Sequence, residues 1–360
     1  MKKKFIISLG VGGVLSILTL YLAFRNVPFN QLAGYLGTIN YWWILPTAGL
    51  IVATFVLRVL RWQIILSSTH TVSFWQAFHP LMIGFMMNCI LPGRLGEIAR
   101  PILLKKKRGV PITTGLVTVA AERVFDIVLL IILFAAVFSS ITERPDLEIA
   151  FGSVTLNGRT LQTIAGGLIR LSLAMLAIMG LLAARPVRAL IIRAIHTLTN
   201  LPLIENSRFH PIASKAAGFC VLLLDNFAAG ISLVYSPLRL LSCVVLTILI
   251  WALTVFSYYV FALGCPGVEL TLWELTTVMV VICFFIALPS VPGFWGLWEA
   301  GGVFALSLFA VLNRDAAGFT LVNHAVQIFP VILIGMTSAL VTSVNIFKVR
   351  YDVHELEPVG

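Results

Sequence analysis

Glu122, Arg123 and Asp126 stand together in a run that is otherwise apolar. On a helix Glu122 and Asp126 share a face, and Arg123 can pair with Asp126. Ionised side chains at bilayer depth are costly, so they are generally paired, and they mark pathways. A second set, Arg94, Glu97 and Arg100, follows the dipeptide Pro92-Gly93. A helix beginning near Gly96 would turn free N–H groups and its positive dipole end toward an anion, and planar guanidinium groups suit phosphate oxygens. The chemistry implied is the binding of a lipid headgroup by Arg94, Arg100 and Arg123 with the backbone at Gly93 and Gly96. Glu97, Glu122 and Asp126 would gate or couple that binding. A third set is Glu299, after Pro292-Gly293, and His324, beside Asn323 and Gln327. Glu299 is either a gating carboxylate facing Arg94 or Arg123, or the cap of a short helix. His324 is either a proton relay or a hydrogen-bonded structural group. The other sets have plain readings as well: bracing ion pairs, and arginines at a membrane interface.

Other chemistries lack their residues. There is no Walker motif, the six histidines have no HExxH spacing, and the five cysteines form no CxxC pair. No metal and no cofactor is expected. Glu143, Asp146 and Glu148 in the segment Ile141–Thr160 are the acidic residues a transferase would need, but they read as solvated.

Two copies of one backbone device carry these residues. Leu91-Pro92-Gly93-Arg94-Leu95-Gly96-Glu97 and Val291-Pro292-Gly293-Phe294-Trp295-Gly296-Leu297-Trp298-Glu299 both read Pro-Gly-x-x-Gly followed closely by a glutamate. Pro removes a helix N–H and Gly relaxes the backbone, so Pro92, Pro292, Gly293 and Gly296 should break helices. Broken helices persist in lipid only where protein or a watery cavity satisfies the freed groups. Two of them in two halves of a chain point to a substrate path near the midplane.

Hydrophobic residues are 59% of the 360 and charged residues 11%, too few to solvate a soluble surface. The expected fold class is an all-α polytopic membrane protein. A single membrane domain covers 1–350, and a short cytoplasmic tail covers 351–360. About six helices span fully. They are Phe5–Phe24 (a retained helix rather than a cleaved signal), Tyr41–Trp62, Ile112–Ser139, Leu161–Ala184, Leu238–Leu263 and Phe319–Phe347. Pro28–Asn40 is a short amphipathic piece. Two re-entrant hairpins, 77–108 and 272–312, hold the breaks. The region 185–236 reads as interfacial, including Gly218–Ser236 with Asp225 and Asn226.

The net charge of +10 is unevenly placed. With the N-terminus in the cytoplasm, Lys2, Lys3, Lys4, Arg58, Arg61, Arg94, Arg100, Lys105, Lys106, Lys107, Arg108, Lys348 and Arg350 fall inside. Arg25, Arg144, Arg159 and Arg314 fall outside. Both termini are then cytoplasmic, the membrane is the plasma (inner) membrane, and the hairpins enter from opposite faces as an inverted repeat.

Three blocks carry a resemblance. They are Asn88-Cys89-Ile90-Leu91-Pro92-Gly93-Arg94-Leu95-Gly96-Glu97-Ile98-Ala99-Arg100, then Glu122-Arg123-Val124-Phe125-Asp126, then Leu288-Pro289-Ser290-Val291-Pro292-Gly293-Phe294-Trp295-Gly296-Leu297-Trp298-Glu299. In this order they resemble a flippase-like family that includes the membrane region of lysylphosphatidylglycerol synthases and proteins linked to archaeal dolichol glycosylation. The resemblance implies a translocase for a lipid with a polar or anionic headgroup, a phospholipid or a polyprenyl phosphate. It implies no lysyl transfer, because the soluble aminoacyltransferase domain of the synthases is not expected in this chain. Family members often carry an arginine before the proline of the last helix, where this chain has Asn323 and His324 before Pro330. The alternatives are a membrane transferase using a polyprenyl-linked donor and a small-solute secondary transporter. Partners would be a membrane lipid, and a lipid-modifying enzyme or a second copy of the chain, but not nucleic acid.

Overall fold

The computed structural model describes residues 2–25, 27–67, 69–91, 94–142, 149–151, 154–156, 184–199, 236–288 and 291–346, with scattered positions within 163–181 and 214–224. Its helices are α1 (Lys2–Phe24), α2 (Phe29–Leu36), α3 (Ile44–Leu66), α4 (Phe74–Ile90), α5 (Gly96–Arg108), α6 (Ile112–Thr142), α7 (Arg185–Thr199), α8 (Pro237–Ala262), α9 (Leu272–Phe285), α10 (Leu297–Ser307) and α11 (Asn313–Val341). A small antiparallel hairpin, β1 (Ile149–Phe151) with β2 (Val154–Leu156), follows α6 where the sequence suggests a loop. Among the described residues three helical stretches, Tyr41–Leu66, Pro237–Ala262 and Asn313–Val341, are long and apolar enough to cross a membrane. Several expectations lie outside the described residues: Pro92 and Gly93, the acidic run at 143–148, most of Leu161–Ala184, and most of Gly218–Ser236, including Asp225 and Asn226.

Local chemistry sets the helix limits. Thr271 and Glu274 open α9 with a capping box: the Thr271 N–H donates to Glu274 Oε2 at 2.8 Å, and the Glu274 N–H to Thr271 Oγ1 at 3.3 Å. Gly109, in the left-handed conformation at φ 71°, ends α5. The last helix begins at Asn313 rather than Phe319. Arg314 and Asp315 pair with each other at 3.0 Å, and Asp315 gains from the dipole in the first turn, so these charges start the helix instead of preceding it.

The order of elements repeats. Ile44, Phe74, Gly96 and Ile112 open α3 to α6; Pro237, Leu272, Leu297 and Asn313 open α8 to α11. Each pair is about 200 residues apart, so the repeat extends well beyond the two short motifs. The packing repeats as well. Helix α3 lies on α8, α4 on α11, and the equivalent pair α9 on α6. Within each half the two short helices pack on one another, α4 on α5 and α9 on α10. Trp62, Leu81, Met82, Tyr258, Phe261 and Met279 fill the shared core.

Close approach of backbones holds the first pair. A Cβ on Gly96 would overlap the Gly84 carbonyl, and one on Gly84 would overlap the stem of Arg100. Helices in lipid associate through such small-residue contacts. Gly96→Ala should therefore destabilise the fold by about 1–3 kcal/mol, read as a lower melting temperature in detergent. Gly13→Ala, with nothing near its added methyl group, should leave the melting temperature unchanged.

Candidate functional site

The two breaks share one described feature. The third residue of each Pro-Gly-x segment is non-glycine and left-handed: Arg94 at φ 54° and Phe294 at φ 63°. Such residues are uncommon and are strained by about 1–2 kcal/mol. The two also touch, since the Arg94 guanidinium lies 5.8 Å over the Phe294 ring. Arg94 Nη2 donates to the Ile286 carbonyl, freed at the end of α9, at 3.0 Å. Gly293, at φ 73°, sits against the Cys89 carbonyl at the end of α4. Thus the breaks meet, and Arg94 is exposed at their junction. The N–H of Gly96, expected to face an anion, donates to Asn88 Oδ1 at 2.8 Å and is buried.

Behind the junction lies a charged cluster built by α3, α5 and α6. Asp126 is its centre. Arg61 grips it with two hydrogen bonds, Nη1 to Oδ1 at 2.7 Å and Nη2 to Oδ2 at 3.2 Å. Arg123 Nη2 reaches the same Oδ2 at 3.3 Å, and Arg58 Nη1 stands 3.8 Å from it. Trp251 Nε1 donates to Oδ1 at 3.3 Å, and Arg61 Nη1 also donates to Thr247 Oγ1 at 2.7 Å, so α8 closes the cluster. Glu122 shares a helix face with Asp126 but takes a different partner, Arg100 Nη2 at 2.8 Å. Arg100 is 2% exposed and lies 4.4 Å over the Trp62 ring. Glu97, although one turn from Arg100, stands 4.0 Å from Arg123.

Among the described residues, four guanidinium groups (Arg58, Arg61, Arg100, Arg123) meet three carboxylates (Glu97, Glu122, Asp126), a surplus of one positive charge. The Nε–H groups of all four arginines lack an acceptor. Buried donors without acceptors are costly, so these four N–H groups favour a further acceptor. Arg123 and Glu97 are about one-third exposed, 32% and 31%, so the cluster opens there. Arg58 is held between the rings of Phe55, Phe85 and Trp251.

Arg58 and Arg61 are the residues that sequence reasoning missed. The charge count puts them at the cytoplasmic face, but Arg61 is fully buried and Arg58 mostly so. The available signal was their spacing of three within an apolar helix, which places both on one face.

The second break carries a different pair. Glu299 is fully buried and faces neither Arg94 nor Arg123. Its Oε2 accepts from the Gly296 N–H at 2.6 Å, and its Oε1 meets His324 Nδ1 at 2.6 Å. His324 Nε2 faces the Gly293 carbonyl at 2.8 Å, so α11 clamps the break. The Trp298 ring stacks on His324 at 4.5 Å and 3°, and the Trp295 ring lies 4.3 Å from the same imidazole, tilted by 44°. A separate open groove of about 750 Å³ lies between the end of α3 and the start of α8, lined by Leu60, Ile64, Val72, Leu241 and Val245. It includes none of these charged residues.

Comparison with known proteins adds the family. The chain is 24% identical over 379 residues to the glycosyltransferase AglD of Haloferax volcanii. The aligned stretch covers 97% of this chain and 58% of that relative, so the chain spans little more than half the length of the curated relative it matches. The pattern of the family described as the lysylphosphatidylglycerol synthase TM region matches residues 5–335, which take in both breaks, the charged cluster and the His324 clamp. The chain therefore belongs to the lysylphosphatidylglycerol synthase transmembrane-region family.

Proposed function

We propose that the protein is a lipid translocase that passes an anionic headgroup between leaflets through the junction of the two breaks. The observation that carries this reading is the arginine cluster around Asp126, with its surplus charge and unused Nε–H donors. A phosphate offers several acceptor oxygens and at least one negative charge, which matches both deficits. Arg94, Arg58 and Arg123 are the arginines that reach it. Arg61, Arg100, Glu97, Glu122 and Gly96 hold the wall behind them. Asp126 gathers Arg58, Arg61 and Arg123 at the place the headgroup would approach. The tail stays in lipid while the headgroup crosses, as expected when two re-entrant hairpins enter from opposite faces. Both termini lie in the cytoplasm in this arrangement.

A second reading is supported by the name of the relative, a glycosyltransferase: a membrane transferase working with a lipid-linked donor. Turnover of a labelled polyprenyl-linked sugar by the purified protein would favour it. The translocase reading is tested in liposomes with a fluorescent anionic phospholipid. Arg123→Ala and Arg58→Ala should each slow its movement about tenfold, equal to about 1.4 kcal/mol. Unchanged rates in both would remove these residues from the path.

A further consequence concerns stability. Asp126→Asn leaves three arginines around a neutral amide and should cost about 3–5 kcal/mol. If an anionic headgroup takes the same place, added anionic phospholipid should raise the melting temperature of Asp126→Asn more than that of the native protein. A zwitterionic lipid should raise neither.

A further inference from the structure

The two halves join their short and long helices by the same device with acid and base exchanged. In the first half the base is Arg100 on the short helix α5, and the acid is Glu122 on the long helix α6, at 2.8 Å. In the second half the acid is Glu299 on the short helix α10, and the base is His324 on the long helix α11, at 2.6 Å. All four side chains are 2% exposed or less. Arginine keeps its charge at every accessible pH, whereas histidine does not.

The hydrogen bonds around His324 count the protons. Nδ1 faces a carboxylate oxygen and Nε2 faces a carbonyl oxygen, and both are acceptors. The carbonyl cannot donate, so Nε2 carries a proton. One further proton must lie between Nδ1 and Glu299 Oε1, on either atom, for that contact to be a hydrogen bond. The pair is then neutral overall. Removing this proton leaves one net negative charge in a fully buried site. It also leaves one ring nitrogen with a lone pair facing an acceptor oxygen. Either the grip on Glu299 or the grip on the Gly293 carbonyl must then open.

The surroundings supply no substitute. On α8 Tyr258 lies beside Asn323, and on α9 Cys283 lies near Tyr258. On α4 the neighbour of Gly293 is the Cys89 carbonyl, and on α1 Ser16 and Thr19 meet Gly296. Trp295 and Trp298 cover the imidazole, and Arg94 reaches only Phe294 and the Ile286 carbonyl. Among the described residues no other charged group pairs with Glu299 or His324.

We propose that Glu299 and His324 form a binding site for a single proton, and that this proton locks the second break against α11. Proton release frees the break, while the Arg100–Glu122 joint of the first half stays closed. Where the chain moves lipid, the proton is the ion to which movement is coupled, and only this last step rests on the translocase reading.

Glu299→Gln separates the lock from the proton. The amide introduced by this substitution can accept from the Gly296 N–H and donate to Nδ1 of a neutral imidazole, whose Nε2–H keeps the Gly293 carbonyl. This variant should stay locked at every pH. Break opening is read as the labelling rate of Phe294→Cys by a thiol reagent, in a protein whose native cysteines are serine. The ratio of its rate with Glu299 to its rate with Glu299→Gln cancels the pH dependence of the thiol itself. That ratio should rise about tenfold as the pH is raised, because the proton is lost from the Glu299 protein alone. A flat ratio overturns the proposal. Lipid movement in vesicles bearing a pH gradient gives the second arm: it should follow the gradient with Glu299 and ignore it with Glu299→Gln. A rising ratio with no lipid movement in any variant leaves the proton site standing and sinks the translocase reading instead.

Discussion

Asp126 and its arginines are the interaction on which the rest depends. A carboxylate inside an apolar bundle must be neutralised by partners that the fold itself supplies. Here they come from α3 and α6, with α8 contributing Thr247 and Trp251. The two halves of the chain are therefore joined by charge as well as by apolar contact. Removing Asp126 would strand cations from two helices at once. Adding an anion would relieve a surplus that the described residues leave in place. A cluster that is paired yet one acid short is a structural brace, and the proposed function makes it a receptor as well.

The breaks depend on this cluster and on each other. A broken helix persists in lipid only where neighbouring groups satisfy its freed backbone. The carbonyl freed at Ile286 is taken by Arg94 of the other break, and the one at Gly293 by His324. The N–H of Gly96 is taken by Asn88, and that of Gly296 by Glu299. Each of these four groups thus finds a side-chain partner. Strain at Arg94 and Phe294 is tolerated because those contacts determine the backbone on both sides. A segment held by a few polar contacts, rather than by a continuous ladder, is one that can change conformation.

Much of this was legible in the sequence, for physical reasons that differ from residue to residue. Pro-Gly pairs inside apolar runs announce broken helices, and the spacing of Arg123 and Asp126 announces an ion pair. What was not legible depends on partners distant in the chain. Arg61 meets Asp126 across 65 positions, and Glu299 meets His324 across 25. Helical spacing reveals neighbours three or four residues apart and is silent beyond that. Read from the sequence, Glu299 is either a carboxylate facing an arginine or the cap of a short helix, and it is the cap that the Gly296 contact bears out. In place of the arginine the structure gives it a histidine, and it gives Arg100 to Glu122 rather than to the nearby Glu97. The repeat of four helices was also hidden, since apolar positions facing lipid or other helices accept many side chains and only the breaks keep their residues.

The exchange of acid and base between the halves bears on how such a repeat can act. Two identical joints would open and close under the same conditions, and a path between them would leak or stay shut. Alternating access needs the halves to differ in what releases them. Arginine in one joint and histidine in the other provides that difference with a single change of residue type. The arginine joint lies beside the Asp126 cluster, where the field of the proposed headgroup would act on it. The histidine joint is covered by Trp298 and Trp295, and a proton is its proposed control. On the proposed reading one half would answer to cargo and the other to protonation, and the Arg94–Phe294 contact joins the two breaks.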